Sequence, residues 1–227
     1  LTSLQLALRG AVERLQFDAT AYGDIGKLAL GGDADKQGTR WRGTLASMAF
    51  DPELGPTWTL QAPARWSWDG GDGALSPACL RSADGGELCA NADWPRRGVD
   101  LAGEKLSLAL VVPYLPERAD GRPWALHGDI NLTATIRPAG NAWRGSATIA
   151  SAGGGVRNTL RARRDLLSYR DLVLDADFDP RTVSATLGAV FDDDGYVKAR
   201  IATGWDADAP LDGELRLATD ELTWMEL

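Results

Sequence analysis

The sequence predicts an all-β fold: a long antiparallel meander curled into an open groove with an apolar interior, the alternative being a two-sheet β-sandwich. Three observations carry this. Apolar residues recur at every second position through most of the 227 residues. Segments rich in Gly, Asp and Pro separate these runs at short intervals, as hairpin turns do. Helical spacing is nearly absent. The groove is favoured over the sandwich because the runs are long and follow one another without a long Greek-key crossover, leaving edges that more sheet would have to cover.

Taken in order, alternation opens with Leu4, Leu6 and Leu8 and resumes with Leu15, Phe17 and Ala19. LGGDAD then reads as a turn, and WRGTLA at Trp41 begins another strand. In WTLQAPARWSW, Trp58, Leu60, Ala62, Ala64, Trp66 and Trp68 share one side, while Thr59, Gln61, Arg65 and Ser67 share the other with Pro63. As one strand it would run roughly 36 Å at ~3.3 Å per residue. WDGGDG turns the chain, and Leu106, Leu108 and Leu110 read as the next strand. Ile130, Leu132, Ala134 and Ile136 follow, then RPAGNAW as a turn and WRGSAT as a second opening of the Trp41 kind. Ile149 ends that run before SAGGG, read as a turn. NTLRARRDLL, from Asn158, reads as a turn of helix or a further strand. The remaining strands contain Leu172, Leu174, Ala176 and Phe178; Val183, Ala185, Leu187 and Ala189; Val197, Ala199 and Ile201; and Leu211, Gly213, Leu215 and Leu217, joined by FDPRT, FDDDGY and DADAPLDG.

The apolar face of such a sheet needs a cover. Its expected lining is Trp58, Leu60, Trp66, Trp68, Leu106, Leu108, Leu110, Ile130, Leu132, Ile136, Ile149, Leu172, Leu174, Phe178, Leu187, Ile201, Leu215 and Leu217. The even face of Trp58 to Trp68 is expected to point into the same interior as the Leu106 and Ile130 runs. A one-residue slip would reverse any of these strands, so the expectation is sharp.

Cys79 and Cys89 flank a polar turn with Gly85 and Gly86 at its tip, within reach of a disulfide, which fits an oxidising compartment. Two buried thiols in a reducing compartment are the alternative. The net charge is -8 and the pI about 4.7, which argues against nucleic acid as a partner, since phosphate binding needs lysine and arginine. No constellation of catalytic residues stands out, and no enzyme, cofactor or metal is expected. The lone His127 lies in LHGDI without a nucleophile or zinc pattern and reads as a surface residue. Asp192, Asp193 and Asp194, like Asp206 and Asp208, lack the spacing of a calcium loop and read as solvated turns. Asn131 in NLT matches a glycosylation pattern by chance. Both ends, LTSLQLALRG and LRLATDELTWMEL, fall within running alternation, as expected of a piece of a longer chain.

The order WRGTLASMAF, TWTLQAPARWSW, ACLRSADGGELCANADWPRRG, LSLALVVPYLPERADG and WALHGDINLTATI resembles the TamB family, most specifically over Trp41 to Ile136. That family comprises periplasmic proteins anchored in the inner membrane, partners of the outer-membrane barrel TamA and similar to the AsmA-like proteins. The resemblance implies a groove that passes phospholipid between the two membranes and supports outer-membrane biogenesis, with acyl chains on the apolar lining. On this reading residues 1–227 form a single β-groove segment, an internal periplasmic piece of a larger protein, touching membrane only through regions outside it. The competing class is a periplasmic scaffold that binds unfolded outer-membrane proteins by strand addition, using main-chain hydrogen bonds rather than the apolar face.

Overall fold

The computed structural model describes all residues except 1, 12, 117, 119, 120, 160, 192–194, 207 and 219–227. FDDDGY therefore lies largely outside the described residues. Fifteen strands form one antiparallel meander: β1 Ser3–Ala11, β2 Arg14–Gly23, β3 Gly26–Gln37, β4 Arg40–Pro52, β5 Trp58–Leu60, β6 Ala64–Asp69, β7 Asp72–Ser82, β8 Glu87–Trp94, β9 Gly98–Ser107, β10 Ala125–Ala139, β11 Ala142–Arg157, β12 Asp165–Phe178, β13 Thr182–Phe191, β14 Tyr196–Gly204 and β15 Asp212–Ala218. Neighbours in sequence are neighbours in the sheet, except that β5 and β6 both lie between β4 and β7. The described strands form no second sheet and no closed barrel, because β1 pairs with β2 alone and β15 with β14 alone. Contacts divide the chain into two compact units, Leu1–Ala102 and Gly103–Leu227.

Directly opposed residues in an antiparallel pair share a face, so the register sorts the side chains. In the first unit one row reads Leu4, Ala21, Leu28, Phe50, Trp58 and Ser82. Another reads Gly10, Leu15, Ala34, Gly43, Trp66, Leu75 and Ala92. The opposite face is polar, as in Gln16, Asp33, Thr44 and Arg65.

Several expectations fail here, each for a local reason. LGGDAD is not a turn but part of β3, and beside it the register shifts between Gly31 and Gly32 because Ala46 is an extra residue on β4. That bulge switches the apolar set of β4 from Trp41, Gly43 and Leu45 to Met48 and Phe50, keeping all five on one face. Trp58 to Trp68 is not one strand either: it breaks between Leu60 and Ala64, level with a second bulge on β7 between Leu75 and Ala78. Pro63 and Pro77 have no N–H for the ladder. The amides left over find other acceptors, Gln61 N donating to Cys79 O at 2.9 Å and Arg65 N to Ser76 Oγ at 2.8 Å. The irregularities of β4, β5–β6 and β7 thus align as a crease across the first unit.

SAGGG is likewise inside a strand, β11. The register shifts there against Gly128 and Asn131 of β10, and β12 shifts against β13 at Asp171, whose φ is 53°. Leu106, Leu108 and Leu110 do not form one strand. Leu106 ends β9, and Leu108–Tyr114 is a 3-10 helix whose first turn is capped by Ser107 Oγ accepting from Ala109 N at 3.2 Å. Pro113 and Pro116 deny that segment a ladder. Of NTLRARRDLL, Asp165–Leu167 open β12 as a strand, while the described residues before them form a loop, with Ala162 N donating to Thr159 O at 3.0 Å.

Cys79 and Cys89 are opposed on the polar face and disulfide-bonded, with Cα atoms 4.0 Å apart. Intact mass measured without reductant is expected to be lighter by two hydrogens than after reduction. Reduction should cost up to ~3 kcal/mol of stability, the chain-entropy ceiling for so short a loop. Free thiols in the protein as isolated from cells would contradict the expected oxidising compartment.

Candidate apolar-ligand face

In the second unit the apolar rows run through every strand from β10. One is Leu132, Ile149, Leu174, Leu187, Ala199 and Leu215; the next is Ala134, Ala147, Ala176, Ala185, Ile201 and Gly213; a third is Ile136, Gly145, Phe178, Val183 and Thr203. Leu217 lies opposite Val197 in the same pattern. No charged residue occurs in these rows. The polar face beneath reads Thr133, Thr148, Asp175, Thr186, Arg200 and Glu214. Ile130 keeps the parity of Leu132 on β10, and Leu172 that of Leu174 on β12. Leu108 reaches this face from its helix, since a Cβ at Gly128 would sit 3.3 Å from Leu108 Cδ1.

Among the described residues, no second layer covers the apolar rows of either unit. Only Ala34, Ala64, Leu106, Ala125, Ala189 and Phe191 are buried among the described hydrophobic residues. Leu4, Leu6 and Leu8 are each more than half exposed, as are Trp143 and Leu215; Trp68, Ile201 and Leu217 are also exposed. Trp58, Leu60, Trp66, Leu110, Ile130, Leu132, Ile136, Ile149, Leu172, Leu174, Phe178 and Leu187 are half-buried.

Sequence reading left several members of the face out of the lining: Leu28, Leu30, Met48, Phe50, Leu80 and Leu88 in the first unit, and Tyr169 and Phe191 in the second. Met48 and Phe50 in SMAF were hidden by the parity switch at Ala46, and Leu28 and Leu30 in KLAL by the reading of LGGDAD, which continues their strand, as a turn.

The polar face carries one compact charged cluster. Asp165 accepts from Arg157 Nε at 2.7 Å and Ser168 Oγ at 3.0 Å, and His127 Nε2 lies 2.9 Å from its Oδ2. Gly155 stands between them, where a Cβ would come within 3.0 Å of His127 Nε2 and 3.1 Å of Asp165 Oδ2. Serine and histidine both address the carboxylate rather than each other, so the hydroxyl is not set up as a nucleophile on the imidazole. The Arg157 guanidinium, chiefly, holds the Asp165 carboxyl below its ordinary 3.8, with smaller help from Ser168 and His127 against burial. A depressed carboxylate stabilises the fold above its unfolded value and loses that effect as pH falls through the lower folded value. Asp165→Asn is therefore expected to lower the unfolding midpoint at pH 7 by the equivalent of ~1 kcal/mol, discounted for the solvent-exposed rim. The gap from the parent should close in acid below 3.8. A gap that persists there would assign the loss to packing instead.

Cys79, Glu87 and Cys89 lie together, but both sulfurs are spent in the disulfide and offer a metal no thiolate. Asp206 and Asp208 are exposed beside Ala209, whose amide donates to Asp206 O at 3.0 Å. The Asn131 side chain accepts from Lys105 N at 3.1 Å, holding the left-handed Lys105 in place. Among the described residues no helix is long and apolar enough to cross a membrane.

An open antiparallel meander with one polar face and one continuous, unroofed apolar face in each unit is a protein built around exposed apolar surface. Within that class the chain belongs to the TamB family: the family described as TamB, N-terminal domain, matches residues 1–226. No curated protein and no solved structure matches it.

Proposed function

We propose that the apolar face carries phospholipid acyl chains, and that this chain is a periplasmic segment of a TamB-like protein conducting phospholipid between inner and outer membrane in support of outer-membrane biogenesis. The observation that carries the reading is the row structure: Leu132 to Leu215 crosses six strands without a charge and without a cover. Large uncovered apolar surface marks a ligand or membrane site, because each Å² removed from water is worth ~25 cal/mol. Acyl chains supply that burial, and the lack of polar wells lets them move between rows at little cost. Headgroups stay in water, since burying an unpaired charge costs more than the tails recover. On the family's pattern the full-length protein is anchored in the inner membrane and meets a TamA-like barrel through regions outside these residues.

The second reading is a scaffold that takes up unfolded outer-membrane proteins by strand addition, through main-chain hydrogen bonds rather than the apolar face. Native mass spectrometry of the purified protein separates the two. Co-purified phospholipid supports the conduit; tight capture of unfolded barrel peptides by lipid-free protein replaces it with the scaffold.

A further inference from the structure

The loop joining β11 to β12 stands out in charge. Between Arg157 and Asp165 four arginines face one aspartate, in a chain whose net charge is -8. Arg157 is satisfied by Asp165, but Arg161, Arg163 and Arg164 are exposed and have no carboxylate partner among the described residues. Arg40 and Arg81, by contrast, are paired across strands with Asp69 and Glu87. Three like charges within four residues repel one another, and an anion held among them would relieve that repulsion.

The position says which anion. β11 ends at Arg157 and β12 begins at Asp165, so the loop lies immediately beyond Leu126, Val156 and Leu167, the last apolar row at this end of the second unit. The platform is also pinned. Arg118 is 8% exposed and donates from Nη1 to Asn158 O and from Nη2 to Asn158 Oδ1, both at 3.0 Å, while its guanidinium lies 5.6 Å from the Trp124 ring centre. This ties the loop to the segment that follows the 3-10 helix, and Val111 of that helix and Leu115 at its end are exposed. A fixed cationic loop at the end of an apolar surface matches an amphiphile with an anionic head.

We infer that the β11–β12 loop is a headgroup site: Arg161, Arg163 and Arg164 engage the phosphate of an anionic phospholipid whose acyl chains lie on the apolar face of the second unit. Guanidinium groups suit this, since they hold phosphate oxygens through paired, charge-assisted hydrogen bonds. The site rests on the lipid reading above, and it adds selectivity: anionic lipid is preferred over zwitterionic lipid of equal chain length.

The test incubates full-length protein with vesicles of equal phosphatidylglycerol and phosphatidylethanolamine content, recovers the protein, and measures both carried lipids by mass spectrometry. The parent should carry phosphatidylglycerol in excess. R161Q/R163Q/R164Q should reduce that excess about tenfold, the effect of losing one good charge-assisted contact. R161K/R163K/R164K, which keeps the charge, should restore most of it. Unfolding midpoints establish that the variants fold, and R163Q alone gives a smaller loss in the same direction if the triple change does not. An undiminished excess in the glutamine variants, or no excess in the parent, overturns the headgroup site and leaves the lipid face standing. A parent that carries neither lipid overturns both.

Discussion

Leu174→Asp is expected to leave the sheet folded and to stop it working. Leu174 sits mid-row between Ile149 and Leu187, half-buried, with no second layer above it among the described residues. A carboxylate there can reach water, so the fold should lose ~1–2 kcal/mol rather than the 4–5 or more typical of an unpaired charge in a dense core. For acyl chains the same charge is a barrier of several kcal/mol in an otherwise level surface, or an entry point for water. Leu132→Asp, at the other side of Ile149, should behave alike. The paired measurement is thermal unfolding of the purified protein and outer-membrane integrity of cells carrying the change in full-length protein. A variant that folds and supports the membrane fully would count against the conduit. One that unfolds outright would mean the face is packed against something, not open.

The largest loss of stability is expected from the glycines of the two WRG openings. A Cβ at Gly43 would lie 1.9 Å from Asp33 O, and one at Gly145 2.4 Å from Thr135 O and 2.5 Å from Phe178 Cε1. Two of those neighbours are backbone and cannot swing away, so the strands would have to separate. Gly43→Ala and Gly145→Ala should each cost ~3 kcal/mol or more, lowering the unfolding midpoint by about 8 °C for a chain of this size. Gly188→Ala is the control: nothing lies within 4 Å of its added Cβ, and it should be tolerated. Equal effects at all three positions would refer the loss to strand propensity rather than to close approach.

These glycines also show what the sequence conveyed and what it withheld. Alternation identified the strands and their apolar sides wherever pairing is regular, as along Leu132 to Ile136 or Val183 to Ala189, because side-chain direction there depends on the strand alone. It misread LGGDAD and SAGGG as turns. A glycine pair in one strand looks the same whether the chain reverses or merely bulges, and the choice belongs to the partner strand. LSLALVVP alternates convincingly, yet Pro113 and Pro116 withhold the donors a ladder needs, so the run becomes a helix at Leu108. The Asp165 cluster left no trace, because His127, Arg157 and Asp165 meet only through the registers of β10, β11 and β12.

The neighbour-only pairing of the meander bears on how the chain reaches its folded state. Almost every strand binds the strand made just before it, and even the exceptions, β4 with β6 and β5 with β7, span short stretches of chain. Loop closure is therefore cheap at each step, and structure can grow outward from any hairpin as it does in repeat proteins. A polypeptide threaded linearly out of a translocation pore can add strands in order of arrival, without waiting for its far end. Local damage, correspondingly, should melt a few strands and spare the rest.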